Sequence, residues 1–234
     1  MTGTLYLIPV PLGPVSPASC LPPDTLAVAR RLEHFVVERA KTARAHLKAM
    51  GHPLPMQQIE MHELNEHTPA SAIAALLAPL HAGHDVGLLS EAGCPAVADP
   101  GAHLVRAAHH ANIAVAPLIG PSSILLTLMA SGLGGQRFAF HGYLPAKEPE
   151  RSQAIRTLEI TARKQHSTQL FIETPYRAAA LLDALALALH SDTYISVGAD
   201  LSLPGQFIRT QRAADWRGLS HQVKDRLVVF GIGA

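Results

Sequence analysis

The feature that most narrows the fold is an alternation of two textures along the chain. Short apolar runs of strand character recur as "TLYLIPV", "HFVVE", "DVGLLS", "NIAVAPLI", "TQLFIE", "TYISVGA" and "RLVVFGIG". Alanine-rich stretches of helical period fall between them: "DTLAVARRLEH", "TPASAIAALLAPLHAG", "GAHLVRAAHHA", "SSILLTLMASG" and "PYRAAALLDALALALH". Strands alternating with helices build βαβ units, so the chain is read as α/β with mostly parallel sheets. Val86-Gly87-Leu88-Leu89 has no polar alternation, as expected of a parallel strand covered by helices on both faces.

With 234 residues, 48% hydrophobic and 16% charged, the chain can bury a real core, which excludes disorder and allows one large or two small domains. The rhythm changes between residues 115 and 145, where glycines and prolines crowd around one short helix. A boundary there divides the chain into α/β domains of residues 1–117 and 118–234. The following "PAKEPERSQAIRTLEITARKQ" is the most charged part of the chain and reads as a solvated helix face. Net charge is only +1, so a polyanion would have to be held by a local patch.

Two cysteines, Cys20 and Cys94, are too few for a disulfide framework or a four-thiolate zinc site. "MTGTLYLIPVPLGP" has neither the basic start nor the long apolar stretch of a signal peptide, and "RAAALLDALALALH" is too short to cross a bilayer. A cytoplasmic protein without a membrane partner is expected.

Several chemistries are excluded by their missing motifs. No G-x-G-x-x-G follows the first strand, where Pro9, Pro11 and Pro14 prevent an immediate helix, and no P-loop pattern occurs. The fourteen histidines are scattered without an H-E-x-x-H, so no metal is expected. "GPSSI" is not a nucleophile elbow; Ser122 and Ser123 fall instead at a helix start, where hydroxyls and free N–H groups can hold a polar ligand.

The stretch "LLSEAGCPAVADPG", residues 88–101, leaves the end of a buried strand with small residues, two prolines and two acids. Loops at the carboxyl ends of strands are where open α/β sheets bind ligands, and Ala92 with Gly93 leaves room for close approach to the backbone. The same stretch also reads as a plain strand-to-helix connection, with Asp99 capping a helix that starts at Pro100.

Taken in order, "PLGP", "SEAGCP", "GPSS", "ETPYR" and "GADLS" resemble the loops of the tetrapyrrole methylase superfamily of S-adenosylmethionine-dependent methyltransferases. "LSEAGCPAVADPG", "LVRAA", "IGPSS", "ASGL", "RFAFHGYLP" and "ETPYR" are most similar to its branch of small-subunit ribosomal RNA ribose 2′-O-methyltransferases. The resemblance covers nearly the whole chain and is densest from Leu88 to Leu144. It implies two α/β domains with S-adenosylmethionine folded into the cleft between them, and a homodimer. Carried over by position, it implies cofactor contacts from Leu12 and Gly13, from Glu91, Ala92, Gly93, Cys94 and Pro95, and from Ser122 and Ser123. In the second domain it implies Phe171, Ala199, Leu201 and Gly231.

A base is needed only if the acceptor is a hydroxyl that must lose its proton. Glu38, Asp99 and Glu173, all near strand ends, are candidates, and each reads equally as a helix cap or an ion-pair partner. The acceptor-side loops depart from the family pattern. "ERAKTAR" stands where the RNA branch reads much like "EDTR.TR"; Pro14 replaces an Asn, Glu91 an Asp, and Asp200-Leu201-Ser202-Leu203 a Glu-Leu-Thr-Lys stretch. No counterpart of the branch's further carboxy-terminal segment is expected after "RLVVFGIG".

Substrate therefore divides. Arg39, Lys41, Arg44 and Lys48 can form one basic helix face for ribosomal RNA, joined by Arg151, Arg156, Arg163 and Lys164. The wider superfamily implies a tetrapyrrole or another small acceptor, and its members also include modifiers of a protein histidine. Drifted acceptor motifs also fit a non-catalytic S-adenosylmethionine-binding protein.

Overall fold

A computed structural model describes residues 2–233. The chain forms two compact units, Met1–Ser122 and Ser123–Ala234.

The first unit contains β1 (Thr4–Leu7), α1 (Pro23–Arg31), β2 (His34–Val37), α2 (Ala40–Met50), β3 (Glu60–Glu63), α3 (Ala70–Ile73), α4 (Ala78–His81), β4 (Val86–Leu89), α5 (Gly101–His110) and β5 (Ala114–Pro117). Its sheet runs β3-β2-β4-β1-β5 with every pairing parallel. All four residues of β4 are buried, as its uninterrupted apolar run requires. The pleat divides neighbouring residues between two cores. Phe35 and Val37 pack with Leu26 and Ala29 of α1 and with Ala43 and Leu47 of α2. Val36 points the other way, to Leu80 of α4 and to Leu104 and Ala108 of α5.

The stretch read as one helix over 68–83 is broken into α3, a 3-10 turn at Ala74–Leu77, and α4. Pro79 is responsible: it has no N–H to donate to the preceding turn, so the α-helical ladder is interrupted before it although Ala78 keeps helical backbone. β3, "EMHE", was not foreseen, because its side chains are mostly exposed and leave no hydrophobic period to read.

The second unit contains α6 (Ser123–Ser131), β6 (Phe138–Tyr143), α7 (Glu150–Gln165), β7 (Thr168–Glu173), α8 (Pro175–Ala188), β8 (Tyr194–Ala199), β9 (Phe207–Arg212) and β10 (Val228–Gly233). Its sheet runs β6-β7-β10-β8-β9, and here the expectation of mostly parallel pairing is corrected. Only β6 and β7 are parallel; β10 is antiparallel to both neighbours, and β8 to β9. Parallel pairing needs a crossover of a dozen or more residues. A short loop joins β8 to β9 instead, and two 3-10 turns at Ala213–Trp216 and Ser220–Val223 carry the chain to β10. Phe171 stacks on Phe230 with ring centroids 5.8 Å apart, and buried Trp216 donates from Nε1 to the Ile195 carbonyl at 3.0 Å.

Candidate functional site

The strand order of the first unit fixes where a ligand can enter. From β1 the chain crosses to β2 on one side, while from its neighbour β4 it crosses to β5 on the other. Adjacent strands whose connections diverge leave a crevice at their carboxyl ends, which is where such sheets bind ligands. The loops that leave β1 and β4 carry "PVPLGP" and "SEAGCP".

These loops are bolted together. Val10 and Gly93 form an isolated antiparallel bridge, Val10 N–H donating to Gly93 O at 2.9 Å and Gly93 N–H to Val10 O at 3.1 Å. Gly93 holds φ at +72°, and a Cβ there would stand 3.2 Å from Leu12 Cδ2 and 3.5 Å from Pro121 O. Cys94 Sγ donates to that same Pro121 carbonyl at 3.3 Å, and burial pushes its thiol pKa up. The loops after β1, β4 and β5 thus converge on one point, bringing together Leu12, the segment Glu91–Pro95 and the residues just before Ser122.

Two carboxylates meet beside this point. Asp99 accepts from Ala96 N–H (2.9 Å to Oδ1, 3.0 Å to Oδ2) and from Gly101 N–H (2.7 Å), tying the loop to the start of α5. The helix begins at Gly101 rather than Pro100. The tie stabilises left-handed backbone at Ala96 (φ 65°) and Ala98 (φ 62°), which costs non-glycine residues energy. Burial raises the Asp99 pKa; its two N–H donors oppose the shift and the nearby Glu38 charge adds to it. Glu38, just past β2, accepts the Glu91 N–H on Oε2 at 3.2 Å. Glu38, Ser90, Asp99 and Gly101 line one small depression.

Glu91 is held by the segment that begins at Glu38. Thr42 of α2 donates to Glu91 Oε2 at 3.0 Å, and His46 Nε2 lies 3.1 Å from the Glu91 carbonyl oxygen. Val10, Thr42 and His46 were not singled out from the sequence. Their partners are 83, 49 and 45 residues away, and no local pattern marks such contacts.

The opposite side of α2 is basic. Arg39 at its N-cap, then Lys41, Arg44 and Lys48, are all exposed, and among the described residues no carboxylate lies within ion-pair distance of any of them. The second basic group is partly neutralised: Arg151 pairs with Glu148 at 2.8 Å and Arg163 with Asp192 at 2.5 Å, while Arg156 and Lys164 are exposed on α7.

In the second unit, Ser123 opens α6. Phe171, Ala199, Leu201 and Gly231 are buried. Phe171 stacks within the core, and Gly231 lies in the β10 ladder opposite Leu170 and Ser196. Glu173, at the end of β7, is buried and accepts on Oε1 from Arg177 Nε at 2.9 Å and Nη2 at 2.6 Å. Among the described residues no group of three His, Cys, Asp or Glu side chains could hold a metal, and no helix is long and apolar enough to cross a membrane.

No family model matches the chain. Ribosomal RNA small subunit methyltransferase I of Escherichia coli O157:H7 is 31% identical over 200 residues, spanning 86% of this chain and 66% of that protein. The protein of the same name from Mesorhizobium japonicum is 32% identical over 228 residues, spanning 96% of this chain and 74% of its own length. The crystal structure of the methyltransferase CobJ shares the fold, with a TM-score of 0.65 at 18% identity over 100% of this chain and 94% of that one.

Proposed function

We propose that this chain, which belongs to the ribosomal RNA small subunit methyltransferase I family of the tetrapyrrole methylases, transfers a methyl group from S-adenosylmethionine to a ribose 2′-hydroxyl of small-subunit ribosomal RNA. The observation that carries the reading is the convergence of the β1 and β4 loops, through the Val10–Gly93 bridge, at the crevice of the first sheet. The residues there suit the cofactor. A zwitterion with an adenine ring needs main-chain donors and acceptors and close approach to the backbone rather than many formal charges. Gly93 supplies that approach, since a side chain there would crowd Leu12.

When bound, the cofactor supplies a methyl carbon already activated by the positive sulfur, so much of the catalysis is alignment. Leu12, Gly13, Glu91, Ala92, Gly93, Cys94, Pro95 and Ser122 hold it from the first unit. From the second unit the resemblance adds Ser123, Phe171, Ala199, Leu201 and Gly231, of which the last four are buried and offer main-chain atoms. Glu38 takes the proton of the acceptor hydroxyl, because only its Oε2 is committed to Glu91 N–H and the group lines the small depression beside the loop after β4. Asp99 has both oxygens engaged by main-chain N–H groups and shapes the loop instead. Glu173 is assigned to holding Arg177. Arg39, Lys41 and Arg44 hold the phosphate backbone, in a cytoplasmic protein that acts as a homodimer.

The test is transfer of labelled methyl from S-adenosylmethionine into fractionated RNA, protein and small molecules. Label in small-subunit ribosomal RNA is expected. Label confined to a small-molecule fraction would overturn the RNA acceptor while keeping the reaction, and cofactor binding without any transfer would overturn the reaction.

A further inference from the structure

The carboxyl ends of β6 and β7 carry a group of side chains that methyl transfer leaves unused. Tyr143, the last residue of β6, pairs in register with Ile172 of β7, so it stands beside the strand end that leads into α8. Tyr176 is the second residue of α8. Both rings face solvent, Tyr143 at 57% and Tyr176 at 76% exposure, and contribute little to the core of their unit. The Arg177 guanidinium lies with Cζ 5.7 Å from the Tyr176 ring centroid. It does not roam: buried Glu173 holds it through two N–H groups on one oxygen. Its pKa is raised first by that carboxylate and, to smaller extent, by the Tyr176 and Tyr143 phenols, which places both rings in its neighbourhood.

The chemistry of the group selects its ligand. Glu173 neutralises Arg177, so the assembly carries no net charge for a phosphate to seek. It offers instead flat π faces and a fixed guanidinium plane, and a pinned guanidinium loses little freedom on binding. A planar, polarisable ligand fits such a surface, and an unpaired nucleobase is one that an RNA acceptor brings.

We propose that Tyr176, with Arg177 and Tyr143 beside it, forms a stacking platform for an unpaired base of the RNA, an inference that rests on the RNA reading above. Glu173 and Arg177 are positioning residues in this arrangement: the carboxylate fixes the guanidinium and the guanidinium stays against the ring. Stacking is insensitive to salt, unlike phosphate neutralisation, and this separates the platform from the basic face of α2.

The experiment is anisotropy titration of an unstructured 12-nucleotide RNA and of a matched abasic strand, over a range of salt, for wild type, Tyr176→Ala and Tyr176→Phe. Tyr176→Ala should weaken binding of the base-bearing strand roughly 5- to 150-fold, the range for loss of one base–aromatic stack. Its affinity for the abasic strand and its salt slope should stay at wild-type values, and Tyr176→Phe should restore binding. Equal losses on both strands, a changed salt slope, or wild-type affinity in Tyr176→Ala would each overturn the platform. Dissociation of a dimer by Tyr176→Ala in sedimentation would show that the surface is covered by a second copy and overturn it too. Wild-type protein that binds neither strand would instead sink the RNA reading, and the platform with it.

Discussion

Replacing Gly93 by alanine tests whether the loop after β4 touches the cofactor. Gly93 holds φ at +72°, where a non-glycine residue is strained by about 1–2 kcal/mol. The added Cβ would lie 3.5 Å from Pro121 O, an ordinary contact, and 3.2 Å from Leu12 Cδ2, so the tip of Leu12 must move by a few tenths of an ångström. Neither the N–H nor the carbonyl of Gly93 is free to turn, since both are bonded to Val10. Gly132 supplies the control: its φ is +70° and nothing lies within 4 Å of its would-be Cβ. Both alanine variants should therefore lose about 1–2 kcal/mol in urea unfolding, the cost of the backbone alone. Only Gly93→Ala should lose affinity for the demethylated cofactor, by about tenfold, since it displaces Leu12 at a cost of about 1.4 kcal/mol in the bound state. Calorimetric titration reads the affinity and urea midpoints read the stability. Equal dissociation constants in the two variants would refute the reasoning, because the crowding at Leu12 would then have no bearing on the ligand.

Glu38→Gln should lower the single-turnover rate by roughly 10²- to 10⁴-fold, the usual worth of a general base, while cofactor affinity holds because the amide oxygen still accepts the Glu91 N–H; an undiminished rate would remove Glu38 from catalysis. Burial holds the Asp99 carboxyl above its ordinary 3.8, so its contribution to stability is full below that pH and is lost as pH rises through the raised value. Wild type should accordingly lose stability relative to Asp99→Asn across that window, and a difference in urea midpoints that does not vary with pH would count against a raised pKa. Neutralising Arg39, Lys41 and Arg44 together should reduce the slope of log RNA affinity against log salt by roughly 2 to 3 in magnitude, at 0.7 to 0.9 for each lost phosphate contact; an unchanged slope would move the acceptor toward a small molecule.

The parallel half of the fold was legible where its strands are buried on both faces and are followed by a helix of readable period. Val86–Leu89 is the clearest case. The mixed sheet was less legible, because direction is set by connection length and by which strand inserts where, and "RLVVFGIG" carries no mark that it enters between β7 and β8. Edge strands such as β3 evade a hydrophobic period because water covers much of their surface. At the site, loop composition drew the eye to residues 88–101, and Gly93 with its positive φ is what small-residue enrichment there allows. The Val10–Gly93 bridge and the Thr42–Glu91 hydrogen bond join segments far apart in the chain, and side-chain types alone do not encode such pairings.

The departures from the family pattern fit one another in a way that bears on whether the site still works. A site losing its function would be expected to leave polar groups unmatched around the altered positions, since partners drift independently once nothing selects for their fit. Glu91 stands where the family pattern has the shorter Asp, and its carboxylate reaches Thr42, within the altered "ERAKTAR" stretch. Its N–H is taken by Glu38 and its carbonyl oxygen lies against His46. One helix, α2, thus anchors the loop after β4 from one side and presents exposed Lys41, Arg44 and Lys48 on the other. A segment that holds the loop after β4 and also carries the solvent-facing cations, with Oε2, the N–H and the carbonyl oxygen of Glu91 all engaged, fits a refitted site better than a decayed one. That favours an active transferase with an adjusted acceptor surface over a protein that only binds the cofactor.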